Sequence, residues 1–588
     1  MFTVTGGGAM YLNDALGHKE GLTCIYQHHE QACAMAAESY ARVQNQMAAV
    51  CVTTGPGGTN ALTGVLGAWL DSIPMLVLSG QVRYETTVRS TGLCLRSFGD
   101  QEFDITRAAG CMAKYAQMVT EPESIRYCLE KAFYLAKSCR PGPCWLDIPL
   151  DVQGALIDPG LLQGYNPVLD KEAVSRQDHP PQLSEDIVDL VIQKIQKARH
   201  PVLYAGNGVR ICKAAGLLLR IAQRLEIPVV TGWNSIDLIC DAHPLYAGRA
   251  GIMGDRAGNW AVQNCDLLLS IGSRLSIRQV GYAWESWAGK AYTIVQDIDR
   301  EELKKPSIHV DMPVWADAYE LLAALDRKLK LQERKERNLR QQDLQIQKKQ
   351  WIQQCQEWRK QYPVVQKRHM RQQTPANVYA FVKVLSEALP EGRIIVVGNG
   401  SASVVGSHAF VIKPHQRFLI NSGAASMGYD LPAAIGACFA AGGAEIICIT
   451  GDGSIQMNIQ ELQTIVHHRL PIKIFVIQNG GYHSIRQTQN SMFKTPLVGV
   501  GSDSGDLSFP SMEKLAWAYG YPYYRLDDNE QLAKIPDILG SEGFCICEVA
   551  VDIKQCFEPK SATKKLSDGG LVSLPLEDLA PHLPKEVL

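Results

Sequence analysis

The stretch from Thr450 to Tyr482 constrains the fold more than any other, because with the run leading into it, it reads strand, tight turn, helix, strand, tight turn. The run Ile446-Ile447-Cys448-Ile449 is apolar and β-branched enough for a buried parallel strand, and it stops at Gly451-Asp452-Gly453-Ser454. Ile459, Leu462, Ile465 and Val466 then recur at helical spacing, and Ile472 to Ile477 gives a second strand ended by Gln478-Asn479-Gly480-Gly481. A βαβ unit of this kind presents Asp452 and Asn479 together at neighbouring strand ends. A carboxylate, an amide oxygen and a bare carbonyl at a Gly turn form a hard-oxygen half-shell. Mg²⁺ accepts such a set when substrate phosphates complete its octahedron at about 2.0–2.1 Å. The glycines Gly451 and Gly453 let backbone approach a diphosphate, and the helix after Ser454 is expected to aim its N-terminus at it. Gly-Asp-Gly alone marks only an ordinary βαβ unit; its pairing with Asn-Gly-Gly after a single helix and strand carries the assignment.

A chain of 588 residues is too long for one core, and about 150 residues per domain predicts three or four domains. The net charge of -2 gives no reason to expect nucleic acid or an anionic membrane as a partner. Seventeen Cys are scattered without a Cys-x-x-Cys pair, which fits free thiols in a reducing compartment. Cys545 and Cys547 would lie on one face of a strand. No apolar run approaches the roughly 20 residues of a membrane span, and no secretory signal opens the chain. A cytoplasmic protein is expected.

Residues 1–160 alternate short apolar runs with helical segments, the strand candidates being Phe2 to Thr5, Met47 to Val52, Met75 to Leu78 and Cys144 to Ile148. Proline-rich sequence from Gly154 to Ser184 reads as a linker. A second α/β block at 185–330 has strands at Val202–Ala205, Pro228–Val230, Leu267–Ile271 and Thr293–Val295. Two of these end in Gly turns, Gly206-Asn207-Gly208-Val209-Arg210 and Gly272-Ser273-Arg274, able to hold a dinucleotide. Residues 331–373 mix Lys, Arg, Gln and Glu and read as a solvated connecting helix. The third block, 374–588, adds a strand at Ile394–Val397 ending in Gly398-Asn399-Gly400-Ser401, whose amides could meet a diphosphate. A further strand, Phe418 to Ile420, ends at Asn421-Ser422-Gly423. The segment from Leu566 onward has the composition of a surface flap.

The paired turns, together with His29-Glu30-Gln31 and the Ala-Ala-Glu-x-Tyr-Ala-Arg that follows, resemble the thiamine diphosphate enzymes of the acetohydroxyacid (acetolactate) synthase group. The resemblance implies three doubly wound parallel-sheet α/β domains: pyrimidine-binding, middle, and diphosphate-binding. It implies Asp452, Asn479 and the Gly481 carbonyl as Mg²⁺ ligands, and Glu30 as the carboxyl that activates the cofactor through its aminopyrimidine. Gly55, Pro56 and Asn60 are placed beside that ring, Gln101 near the reacting carbon, and Met427 as the apolar prop that bends the cofactor. For the middle domain it implies FAD held by Gly206, Arg210, Gly272, Arg274 and Arg278; other relatives bind ADP there or leave the domain empty. Since the group draws each active site from two subunits, a homo-oligomer with interfacial sites is implied. A helix of about two dozen residues precedes the first strand in the group, and the chain is expected to lack it.

Three positions depart from true synthases. Asp100 stands where they carry Phe, Leu150 where they carry Lys, and Thr488 where they carry Trp. The expected activity is decarboxylating transfer of a two-carbon unit from pyruvate or a similar 2-oxo acid to a carbonyl acceptor. A plain decarboxylase and a carboligase acting on a keto-sugar are the alternatives. A non-catalytic subunit would be expected to lose Glu30 or Asp452, and both are present.

Overall fold

A computed structural model of the chain describes residues 1–170, 179–333, 342–493, 495–565, 568 and 570–584. The described residues hold three six-stranded sheets, each parallel throughout, and a two-stranded antiparallel hairpin.

The first sheet comprises β1 (Phe2–Thr3), β2 (Ile25–Tyr26), β3 (Ala48–Val52), β4 (Met75–Gln81), β5 (Tyr115–Met118) and β6 (Pro143–Pro149) in the order β2-β1-β3-β4-β6-β5. The second has β7 (Pro201–Ala205), β8 (Val229–Thr231), β9 (Tyr246–Arg249), β10 (Leu267–Ile271), β11 (Tyr292–Asp297) and β12 (Met312–Trp315), ordered β12-β11-β10-β7-β8-β9. The third has β13 (Ile394–Val397), β14 (Arg417–Ile420), β15 (Ile446–Gly451), β16 (Ile472–Gln478), β17 (Tyr523–Leu526) and β18 (Cys545–Ala550), ordered β14-β13-β15-β16-β18-β17.

The first and third sheets therefore share one strand order, and the middle sheet has the order of a dinucleotide-binding fold. In such sheets ligands sit where successive connections leave in opposite directions. The switch falls between β13 and β15 in the third sheet and between β7 and β10 in the second. Both pairs carry the Gly turns singled out from the sequence.

Small side chains explain how the first and third domains join. The helix Glu30–Gln44 is Ala-rich because it lies against the helix Asp430–Ala440, so close that a Cβ on Gly436 would collide with the Ala36 carbonyl. Ser39 Oγ donates to the Ala433 carbonyl at 2.7 Å across this contact. Buried residues of both domains consequently form one continuous core. Beside it Arg42 donates to Glu38 and Asp71, and Tyr429 donates its hydroxyl to Glu38 at 2.6 Å. Ion pairs this deeply buried hold together because the whole set is paired.

Two expectations need correction. The connecting helix, Gln342–Gln361, is not solvated on all sides: Trp351 and Cys355 are buried against the middle domain, and Trp351 Nε1 donates to the Pro201 carbonyl at 3.1 Å. Trp260, Trp358 and Tyr362 extend this contact edge to face. Its inner face also takes charged residues where they find carbonyl partners, Lys348 donating to Ile195 at 3.1 Å and Arg359 to Tyr246 and Asp241, and burial of the aromatic stripe outweighs composition. Leu339, which was read as part of the same helix, lies outside the described residues.

The terminal segment, likewise, is no surface flap. After the hairpin β19 (Thr563–Lys565) and β20 (Leu571–Ser573), Leu576 and Leu579 are buried in the middle domain's core. Trp260 Nε1 donates to the Glu577 carbonyl at 2.9 Å, and Arg256 to the Leu579 carbonyl at 3.1 Å. Leu566 and Gly569, read with that flap, lie outside the described residues.

Candidate active site

Asp452 and Asn479 stand at the ends of β15 and β16, which pair in register through Gly451 and Ile477. Asp452 Oδ2 accepts from the backbone amides of Asn479 at 3.2 Å and Gly481 at 3.0 Å. Asn479 Nδ2 donates to Ser401 Oγ at 2.9 Å, which draws in the turn after β13. Burial pushes the Asp452 carboxyl up to about 6, while the amides of Gly481, Gly453, Gly480 and Asn479 pull it down.

Two atoms are left over. Asp452 Oδ1 and Asn479 Oδ1 are buried and have no hydrogen-bond donor. Buried acceptors normally find a donor, so two orphaned oxygens just past the ends of paired strands fit a cation. Among the described residues no three His, Cys, Asp or Glu side chains converge on a metal-sized site. A metal here would thus meet one carboxylate and otherwise neutral oxygens, a set that leaves Mg²⁺ dependent on phosphate oxygens. The Gly481 carbonyl accepts from His483 N at 2.9 Å and retains a second lone pair.

The floor of this cradle depends on Asp430, which sequence reading missed. Its Oδ2 accepts from Thr450 Oγ1 and Ser454 Oγ, each at 2.6 Å, and a Cβ on Gly398 would run into it. The only signal was an acid opening an otherwise apolar helix. Ser454 belongs to the same set: its hydroxyl donates to Asp430 Oδ2 and accepts from the Gly428 amide. The segment after it forms a single 3₁₀ turn, Ile455–Asn458, and the α-helix begins only at Glu461. Asn399 Nδ2 donates to the Ala425 carbonyl at 2.5 Å, and Gly398, Asn399 and Ser422 line one small cavity beside Ser426. Met427 is half-buried next to it. Gly400 has φ 74° and would meet nothing within 4 Å on gaining a Cβ, so its backbone faces open space.

The second group forms on the first sheet. Glu30 opens its helix half-buried, capped by the His29 ring, which accepts from Gln31 N at 3.1 Å. Asn60 Nδ2 donates to Glu30 Oε2 at 3.0 Å, leaving Oε1 toward Gly57. Gly55 has φ 58° and Pro56 starts the following helix, Pro56–Leu70. A Cβ on Gly55 would strike the carbonyl oxygen of Gln101, which itself has φ 59°. Asp100, Gln101 and Thr488 are exposed in the protomer and Leu150 is half-buried. Within the protomer the two segments meet only beside these groups, where Asn458 Nδ2 donates to Gln31 Oε1 at 3.0 Å and His28 N to Glu461 Oε1 at 3.2 Å; among the described residues no hydrogen bond or ion pair joins Glu30 itself to Asp452 or Asn479.

A third feature is a cleft of about 690 Å³ where the three domains meet, lined by Gly272, Arg274 and Arg278 together with Asp71, Trp233, Asp297 and Ser422. Arg274 donates to the Leu70 carbonyl at 2.7 Å, and Arg278 lies 5.2 Å from the Trp233 ring. Arg210, expected here, is instead held by Asp237 at 3.0 Å, whose other oxygen takes Arg417. Gly206 packs directly on the Gly272–Ser273 backbone and is not part of the lining.

Comparison with known proteins bears on all three features. The model of the thiamine pyrophosphate enzyme N-terminal TPP binding domain matches residues 1–106. That of the central domain matches 188–325, and that of the C-terminal TPP binding domain 398–549. The chain is 32% identical over 592 residues to a probable acetolactate synthase large subunit of Methanocaldococcus jannaschii, covering 97% of this chain and 91% of that protein. It is 30% identical over 576 residues to the acetolactate synthase large subunit of Cyanidium caldarium, covering 96% and 92%. To the acetolactate synthase isozyme 2 large subunit of Escherichia coli it is 30% identical over 559 residues, covering 94% and 92%.

Proposed function

The chain belongs to the thiamine pyrophosphate enzyme family and is a thiamine diphosphate-dependent carboligase of the acetolactate synthase type, and from that premise we propose that it takes pyruvate as donor and a hydroxyl-bearing aldehyde or ketone as acceptor. The observation that carries the site assignment is the pair of orphaned oxygens on Asp452 and Asn479 beneath an open glycine turn.

When bound, thiamine diphosphate supplies a nucleophilic carbon at C2 and a base within its own aminopyrimidine. Asp452, Asn479 and the Gly481 carbonyl would hold Mg²⁺, with Gly398, Asn399, Gly400, Ser401 and Ser422 facing the diphosphate and Gly451 and Gly453 giving it room. Glu30 would share a proton with the pyrimidine nitrogen N1′, oriented for that by Asn60. Gln101 would position the reacting carbonyl, and Met427 would support the cofactor from below. The region of Asp100, Leu150 and Thr488 would form the acceptor wall. A carboxylate there favours an acceptor able to donate hydrogen bonds.

We read the protein as a homo-oligomer in which the Glu30 group of one subunit completes the Asp452 group of another. Leu93, Leu95, Phe98 and Phe103 near the first group and Met457, Ile485, Met492 and Phe493 near the second are exposed in the protomer, which supports a second copy as their cover. FAD is our reading for the three-domain cleft, through Arg274 and Arg278. Among the described residues no helix is long and apolar enough to cross a membrane. The free thiols support a cytoplasmic setting.

An acceptor screen with isotopically labelled pyruvate, read by mass, tests this. Label in a new carbon–carbon bond to a hydroxylated acceptor is expected, from a preparation that shows flavin absorbance. Acetolactate as the sole efficient product would return the acceptor to a keto acid, and labelled acetaldehyde alone would mean a decarboxylase.

A further inference from the structure

One buried carboxylate of the first domain has no part in the function so far. Asp147, on β6, is 0% exposed. Its Oδ1 accepts from Ser79 Oγ at 2.6 Å and its Oδ2 from Gln81 Nε2 at 3.0 Å; Ser79 Oγ in turn accepts from Trp145 Nε1 at 2.8 Å. Gln81, the last residue of β4, uses its whole amide. Nε2 also donates to the Phe103 carbonyl at 2.8 Å, and Oε1 accepts from Thr54 Oγ1 at 2.6 Å and Val82 N at 3.0 Å.

These partners bracket the Gln101 loop. Thr54 leads into the Gly55 turn, and Phe103 follows Gln101 by two residues. The two segments touch where the Gln101 carbonyl lies over Gly55. Gln101 holds a left-handed backbone, φ 59°, which a side-chain-bearing residue keeps only when its surroundings impose it. From the opposite side Glu102 accepts from Val88 N at 3.0 Å and Phe98 N at 3.1 Å.

We propose that Asp147 is a positioning residue: it sets which way the Gln81 amide faces, and so clamps the Gln101 loop against the Gly55 turn. The inference rests on the reading of Gly55 and Gln101 as part of the active site. An amide's two ends are alike in shape and opposite in hydrogen bonding. Oδ2 only accepts when the carboxyl is ionised, and equally when its proton sits on Oδ1 toward Ser79 Oγ, so Nε2 faces it in both states. In that orientation the same nitrogen reaches Phe103 and the oxygen meets two donors. Turned over, the oxygen would oppose both Asp147 and the Phe103 carbonyl, and the nitrogen would oppose Val82 N. Burial pushes Asp147 up to about 7; Ser79 and Gln81 pull it down, Asp104 raises it and Arg89 lowers it.

The test uses Asp147→Asn and Gln81→Met, singly and together, in the full chain. Amide hydrogen exchange over residues 98–105 is followed in the cofactor-free protein, and kcat and KM in the loaded one. Each variant is expected to exchange faster in that loop by about 10-fold and to lose about 10- to 100-fold in kcat, with KM for the donor within about threefold. The double variant should be no worse than either single, since both act through one amide. If Asp147→Asn does not fold, Gln81→Met carries the same test. Unchanged loop exchange, or losses that multiply in the double variant, would overturn the proposal. If the loop responds as expected while the parent performs no carboligation, the functional reading fails and the clamp stands.

Discussion

Replacing Asp452 by Ala and by Asn separates two tasks of one carboxylate. Its Oδ2 satisfies the buried amides of Asn479 and Gly481, at 3.2 and 3.0 Å, while Oδ1 has no donor. Asn can keep the first task with its amide oxygen and loses only the charge. Ala loses both and strands two buried donors. Each stranded group is worth about 1–3 kcal/mol, so in metal-free protein Asp452→Ala should unfold with about 2–6 kcal/mol less stability than Asp452→Asn. Metal-dependent retention should fall in both. Loss of a residue that only hydrogen-bonds a metal ligand already weakens metal binding about 10–100-fold, so losing the charged ligand itself should weaken it by at least about 100-fold. Thermal unfolding reads the first quantity, and equilibrium dialysis of thiamine diphosphate with and without Mg²⁺ reads the second. An Asn variant that keeps the cofactor within about threefold of the parent would refute the ligand assignment. Equal stability of the two variants would refute the account of Oδ2.

Glu30→Gln should leave cofactor affinity nearly unchanged while proton exchange at the cofactor's C2 slows by about 10²–10⁴-fold; exchange at the parental rate, followed by NMR, would remove Glu30 from its role. Asp297, in the three-domain cleft, is pushed up to about 6 by burial. Its raised value means the folded protein holds a proton the unfolded chain releases, so this contribution is present below about pH 4 and lost as pH rises through about 6. Asp297→Asn should therefore match the parent in urea near pH 4 and exceed it by about 3 kcal/mol at pH 7.5; a gap independent of pH would contradict this. Trp351→Ala should cost about 3–5 kcal/mol in the middle domain, because the ring is buried and hydrogen-bonded; a change under about 1 kcal/mol would mean the helix Gln342–Gln361 is only loosely docked.

The central strands were legible in the sequence because parallel sheets buried on both faces need unbroken apolar runs, such as Ile472 to Ile477. Of the edge strands of the first and third sheets, the apolar Phe418 to Ile420 was legible, while two others escaped. Tyr115–Met118 and Tyr523–Leu526 carry Gln and Arg toward solvent and so lack such a run. The turn glycines of the third domain were legible too, as punctuation at strand ends, although what excludes a side chain at Gly398 is the Asp430 carboxylate. Asp430 was not, because its partners Thr450 and Ser454 are close only after folding. Arg210 was misassigned for a related reason: nothing local announces that Asp237 and Arg417, far along the chain, will take its guanidinium. In the Ala-rich helix of Glu30, apolar character was readable, but the cause, near-contact with Gly436, was not.

The docking of Leu576 and Leu579 on the middle domain has a mechanical consequence. The chain passes from the middle domain into the third through the docked helix Gln342–Gln361, then returns to the middle domain after β18. Those two domains are thus tethered at two separate points, as a drawer is held by two runners. A hinge with a single strap can swing; one with two can only slide or stay shut. Moving the third domain away from the middle one would strain Leu576 and Leu579 in their sockets as well as the bonds of Arg249 to the Ser407 and Phe410 carbonyls.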